Sequence, residues 1–289
     1  MSARSNENRL GVPTTPPEET TGLKQPSLEG GGLKFITPTE FVELPSKGLF
    51  YPDDHPLFNQ EVIEIKHMTT KEEDILTSVA LLKKGLALDR MLESIIVNKK
   101  IKIDDLFLGD KNALLIAARA HGYGAIYETS VTCPACDETQ IYSFDLNTLK
   151  VHSAPDELMA EHEIQKTDVG TFLLPLHGTE YTVELRLLTG KDEKQISQLQ
   201  EHKKKRNFPE TPATDFLRLV IVSVNGIKEP APLNDFINTL PALHGRYIKG
   251  TYEKLIPSLD MKHSFGCSSC VYEGVLEVPL TTDFFWFNA

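Results

Sequence analysis

Cysteine is scarce in this chain, long apolar runs are absent, and positive charge is in deficit. Only four cysteines occur in 289 residues, too few for a scaffold built on disulfides. No apolar stretch approaches the roughly 18 residues that a membrane-spanning helix needs, so no membrane partner is expected. The N-terminal region holds no apolar block with a cleavage site behind it, and a secretory signal is therefore not expected. Thirty Lys and Arg face 41 Asp and Glu, a net charge of −11. Gripping nucleic acid or anionic membrane depends on cationic surface, so neither is expected as the main work. What remains is an ordinary globular composition, long enough to bury a real core.

Catalytic motifs are missing too. The sequence has no Gly-x-Ser-x-Gly elbow, no Walker-type phosphate loop, no Gly-x-Gly-x-x-Gly after a strand and no His-Glu-x-x-His. His162-Glu163 begins like the last of these, but Gln165 and Lys166 end the match. The carboxylate pairs Asp53-Asp54, Glu72-Glu73 and Asp104-Asp105 stand at turns or helix starts, where acids stabilise exposed amide groups. They read as caps. Lys203-Lys204-Lys205-Arg206 is the one dense basic run, and it falls at an expected helix C-terminus, where cations are favourable; a local phosphate contact is the alternative. An enzyme is not expected.

Periodicity divides what is present. Residues 1–34, broken by Pro13, Pro16, Pro17, Pro26 and Gly30-Gly31-Gly32, read as a flexible arm that is either a solvated tail or a segment that orders on a partner. Residues 35–124 read as a small helical module. After a turn-rich stretch and a short strand at Val62–Ile65, helices are expected over 71–84, 90–99 and 111–121. Thr70 to Glu73 has capping-box spacing, Ile75, Val79 and Leu82 would share an inner face, and Asp89 and Asp110 are placed as N-caps. From residue 126 the pattern turns to strand. Strands are expected over 126–132, 140–144, 171–176, 181–188, 261–265 and 274–278, with helices over 191–204, 214–224 and 241–255.

The cysteines come as two pairs, Cys133-Pro-Ala-Cys136 and Cys267-Ser-Ser-Cys270, each between two strand-like runs. Two intervening residues let a tight turn aim both sulfurs at one point, the pattern of a zinc-ribbon knuckle. Two knuckles supply four thiolate ligands, Cys133, Cys136, Cys267 and Cys270, for one structural Zn²⁺ with no open position for water. The 130 residues between the pairs do not forbid this, because loop-closure entropy grows only logarithmically. They would form an insertion within one split ribbon over 125–280. Disulfides fit poorly without a secretion signal, and a thioredoxin-like pair would need a helix after Cys133 that Asp137-Glu-Thr-Gln does not offer. His263 is an alternative ligand only if one cysteine fails. The expected fold is α+β: a small N-terminal helical module plus a split zinc-ribbon-like β core with a helical insertion.

Residues 281–289 form an aromatic tail in which Phe284, Phe285, Trp286 and Phe287 follow one another. One strand face cannot bury four consecutive rings. Either the tail is sandwiched in its own fold, or these rings bind a partner.

Several stretches in order resemble the T-even-like bacteriophage baseplate hub family of hub subunits and hub-assembly proteins. They are Leu44-Pro-Ser-Lys-Gly-Leu-Phe-Tyr-Pro52, Met68-Thr-Thr-Lys-Glu-Glu-Asp-Ile-Leu76, Leu108-Gly-Asp-Lys111, Arg119-Ala-His-Gly-Tyr-Gly124 and Val131-Thr-Cys-Pro-Ala-Cys136. The resemblance covers about residues 40–146 and rests beyond them on the second cysteine pair. It implies a non-enzymatic structural or assembly component of a contractile-tail baseplate, made in the host cytoplasm and carried into the virion. Its partners would be other hub, tail tube or tape-measure proteins, with an oligomer within the baseplate as a further implication. The rival readings are a zinc-ribbon nucleic-acid-binding or transcription-associated protein, and a thiol oxidoreductase.

Overall fold

A computed structural model describes residues 36–153, 156–278, 280 and 282–285. The chain divides between Ile36 and Thr37. The unit described is the second, Thr37–Ala289, and the expected arm over 1–34 lies outside the described residues. Strands β1 (Thr39–Glu43) and β2 (Val62–Lys66) pair antiparallel with Glu40 opposite Ile65. The loop between them winds around one buried carboxylate. Asp110 accepts hydrogen bonds from the Ser46 N–H (2.9 Å), the Ser46 hydroxyl (2.6 Å) and the Tyr51 hydroxyl (2.8 Å). Gly48 turns the loop at φ +70°, where a Cβ would meet backbone atoms of Leu57 and Gln60 at 2.4 Å. Only glycine fits there.

Helix α1 (Thr70–Thr77) starts on a capping box between Thr69 and Glu72, one residue earlier than the spacing predicts. The single helix expected over 71–84 is in fact two, because Ser78 is extended and separates α1 from α2 (Val79–Lys83). Leu76 takes the inner position, and Val79 is 63% exposed. Helices α3 (Ala87–Ile95) and α4 (Leu108–Tyr123) each begin three residues earlier than expected. Asp89 and Asp110 are therefore not caps. They lie inside the first turns, buried, and their oxygens go to distant partners: Asp89 to Lys111 (2.7 Å) and Lys194 (2.9 Å), Asp110 to Ser46 and Tyr51. The hairpin of β3 (Ile126–Thr132) and β4 (Thr139–Asp145) and the short β5 (Lys150–His152) follow.

The middle of the chain builds its own apolar cluster. Helix α5 (Asp156–Glu161) leads into β6 (Gln165–Lys166), β7 (Phe172–Pro175) and β8 (Thr182–Leu185), then α6 (Gly190–Lys205) and α7 (Pro212–Val220). The helix expected over 214–224 stops at Val220. Ile221–Val224 instead forms β9, completing an antiparallel sheet ordered β6-β7-β8-β9. The β-branched run Ile221, Val222, Val224 favours a pleated surface over a helix. An unanticipated helix, α8 (Pro230–Thr239), opens on a proline at its first position, where the missing N–H costs nothing. With α9 (Ala242–Leu255), which contributes Tyr252, it joins the cluster of Phe172, Leu174, Val183, Leu185 and Val220.

Strand β10 (Ser258–Asp260) then returns to β5, pairing Ser258 with His152 and Asp260 with Lys150. The second hairpin is β11 (Lys262–Gly266) with β12 (Glu273–Glu277). The first core joins Leu44, Ile65, Met91 and Leu114 with Tyr127, Phe144, Val278 and Phe284. Residues from both sides of the expected 124/125 boundary thus share one core. The fold is α+β.

Of the two alternatives for the tail, packing within its own fold describes Phe284 and Phe285, which are only 1% and 2% exposed within their own chain. Arg119 Nε donates to the Phe284 carbonyl at 2.8 Å. Phe284 meets Tyr127 edge-on, with ring centres 4.9 Å apart. Trp286 and Phe287 lie outside the described residues.

Candidate metal centre

Each cysteine pair sits in the turn of a hairpin. The ladder of β3 and β4 ends at Thr132 opposite Thr139, and that of β11 and β12 at Gly266 opposite Glu273. In the first turn the Cys133 N–H donates to the Glu138 carbonyl at 2.9 Å. In the second, the Cys267 N–H donates to the Tyr272 carbonyl, also at 2.9 Å. The same bond, from the first cysteine to the residue five further on, closes both turns. Asp137 takes the left-handed φ of 56° that the first requires.

The fold brings all four predicted ligands together. Their sulfurs lie within 4.8 Å of one another, so the cluster can hold a metal ion. Between hairpins, Cys133 Sγ stands 3.8 Å from Cys270 Sγ, and Cys136 Sγ stands 3.7 Å from Cys267 Sγ. A tetrahedron with zinc–thiolate bonds of about 2.3 Å has edges of about 3.8 Å. A disulfide would need sulfurs about 2.05 Å apart, and all four cysteines are free. The donor set and the spacing fit a tetrahedral thiophilic ion.

Electrostatics point the same way. The Ser269 N–H, 3.4 Å from Cys267 Sγ, holds that thiol down at about 7. The Glu138 backbone also favours the Cys136 thiolate, but the other three sulfurs and burial outweigh it and push Cys136 up to about 12. Four thiolates cannot share one point without a cation, and a divalent ion removes that conflict.

Two supporting residues escaped the sequence reading. Gln140, on β4, donates through Nε2 to the Gly266 carbonyl (3.2 Å). Its Oε1 accepts from the Ser268 N–H (2.9 Å) and the Ser268 hydroxyl (2.8 Å). One amide thereby fixes the second knuckle against the first hairpin. Tyr142 adds a bond from its hydroxyl to the Ser264 carbonyl at 2.5 Å. Their only sequence signal was position, a few residues beyond Cys136. His263 is not in the four-ligand cluster; its ring packs against Phe144 with centres 5.1 Å apart. The basic run is engaged locally, Lys203 with Asp215 (2.5 Å) and Lys205 with Glu201 (3.0 Å). Among the described residues no helix is long and apolar enough to cross a membrane.

No curated protein and no solved structure matches this chain. One family model does, over residues 38–286, nearly the whole described unit with both cysteine pairs inside it. The chain belongs to the family of T4 bacteriophage base plate proteins.

Proposed function

We propose that this baseplate protein is a non-enzymatic structural or assembly component of the hub region, held together by a structural zinc ion on Cys133, Cys136, Cys267 and Cys270. Family membership implies a place in the virion tail and contact with other baseplate components. The observation that carries the zinc reading is the pair of inter-hairpin sulfur distances, 3.7 and 3.8 Å, at the edge length of a zinc–thiolate tetrahedron. Zinc, when bound, supplies a fixed cross-link. The protein supplies two rigid turns, the Ser269 N–H and the Gln140 clamp. Four thiolates fill the coordination shell, which suits a structural site and leaves no place for an activated water.

The hub assignment rests on the sequence resemblance. In this reading the chain is made in the host cytoplasm and docks tube, tape-measure or other hub proteins, with Trp286 and Phe287 as docking residues. Two experiments test it. Cobalt exchanged into the purified full chain is expected to give thiolate-to-cobalt charge-transfer absorption that Cys133→Ser weakens; absence of that absorption sinks the zinc reading. Cross-linking mass spectrometry on virions is expected to join this chain to tube or tape-measure subunits. Cross-links confined to peripheral baseplate subunits would refute the hub placement. Replacing Trp286 and Phe287 by Ala should reduce incorporation into particles without lowering the melting midpoint.

A further inference from the structure

At the opposite end of α4 from Asp110, three side chains from three elements converge. Glu40 lies on β1. His67 follows β2 directly, and its N–H donates to the Pro38 carbonyl at 3.0 Å, extending the β1–β2 ladder by one step. Since Glu40 pairs with Ile65, and side chains two apart on a strand share a face, Glu40, Ile65 and His67 lie on one face of the hairpin. Ile65 is fully buried, so this face turns inward. His121 lies seven residues after Leu114 and three after Ala118, both buried, on the inner stripe of α4. The hairpin and the last turns of the helix therefore aim two imidazoles and a carboxylate at one point.

We propose that Glu40, His67 and His121 form a second metal site, sharing no ligand with the cysteine cluster, that takes a first-row divalent transition ion such as Zn²⁺. One ligand atom from each residue lies within 4.8 Å of the other two. Three points so spaced lie within about 2.8 Å of a common centre, and side-chain shifts of under about 1 Å bring them to the roughly 2.1 Å of zinc–nitrogen and zinc–oxygen bonds. Two histidines and one carboxylate are a donor set for zinc and for other first-row ions.

An ordinary ion pair does not account for the arrangement. His121 Nε2 and Glu40 Oε2 are 2.6 Å apart, which occupies one carboxylate oxygen. The other, Oε1, is buried without a hydrogen-bond partner among the described residues. A buried carboxylate oxygen left unpaired is costly. No hydrogen bond to the His67 ring occurs among the described residues either, and that ring lies 5.1 Å from the His121 ring, centre to centre. A dication supplies the missing compensation. Three protein ligands leave at least one coordination position. His121, with 44% of its side chain exposed, opens the site to solvent, so water fills that position and the ion has a route in.

The test is a zinc titration of the full-length, chelator-stripped protein, with bound metal counted by elemental analysis and binding followed by calorimetry. Two zinc equivalents per chain are expected. The weaker is lost in His67→Ala and in His121→Asn, while cobalt charge-transfer absorption from the cysteine site stays unchanged. Glu40→Gln, which keeps the size of the side chain, should weaken the second equivalent at least tenfold with an unaltered circular-dichroism spectrum. One equivalent that persists in both histidine variants would overturn the proposal. One equivalent lost in the histidine variants, with no thiolate absorption in any protein, would uphold it while refuting the zinc reading of the cysteines.

Discussion

Asp110 shows what one residue decides. Its carboxylate is fully buried and is met by three donors from a loop about 60 residues earlier, while the Tyr51 hydroxyl also accepts from the Phe107 N–H at 3.1 Å. Burial raises the pKa of Asp110 and holds the Tyr51 phenol far above its ordinary range. Asp110→Ala strands three buried donors and should destabilise the protein by roughly 3 kcal/mol or more. Asp110→Asn should cost less, because the Ser46 and Tyr51 hydroxyls can rotate to accept from the new amide. Urea midpoints at constant m-value measure both, and a loss below about 1 kcal/mol for the alanine variant would refute the assignment. The sequence marked Asp110 as polar at a helix start and the Leu44–Pro52 stretch as distinctive. It could not show that they meet, because capping and long-range bonding ask for the same residue type at the same place.

Between elements, charge does the joining. Lys111 of α4 bonds Asp89 of α3 at 2.7 Å and Glu193 of α6 at 2.6 Å, and Lys194 of α6 bonds Asp89 and Asp104. Arg186 grips Asp192 of α6 through two bonds of 2.8 and 2.7 Å. Burial alone would raise both aspartates, yet Lys111 and Lys194 hold Asp89 below its ordinary range, and Arg186 and Thr189 do the same for Asp192. Their contribution is present above the unfolded aspartate value near about 4 and is lost as pH falls through the depressed folded values. Lys111 and Lys194 are raised by these same partners against burial. Their share is present below about 10.4 and lost as pH rises through the folded values. Melting midpoints should therefore form a plateau between these limits. Asp89→Asn should flatten the acid limb and, by leaving Lys111 buried with one partner fewer, lower the plateau by about 3 kcal/mol; an unchanged acid limb would contradict this. Hairpins were the most legible elements, since alternation and turn residues agree: the ranges read for β3, β4, β11 and β12 match to within a residue or two. Helix ends were less so. Ser78 breaks a run that periodicity joins, and β9 continues the apolar pattern of α7 without a turn residue between them.

For the whole molecule, two clusters share one chain that leaves the first core after β5 and returns at β10. The cysteine centre was legible because four equal ligands in two repeated spacings carry their own signature. The Glu40, His67 and His121 constellation was not, because its members have no spacing relation until the hairpin and α4 pack. Chelation should lower hydrogen-exchange protection in β3, β4, β11 and β12 while leaving β7, β8 and β9 protected. A uniform loss across the two hairpins and the β7–β9 strands would show instead that the centre supports the entire fold. Phe284→Ala should cost about 3–5 kcal/mol, as for a core ring, and an unchanged urea midpoint would return the tail to the surface. The clasp of β5 on β10 also lowers the entropic cost of the metal centre. Before it forms, joining Cys136 to Cys267 means closing a loop of 130 residues. Once Lys150 is paired with Asp260, the free path shrinks to about 20 residues, and closure costs roughly 1.5–2 kcal/mol less. In the folded chain the clasp thus holds the two knuckles within reach of one ion, so that metal binding has only a short remaining loop to close.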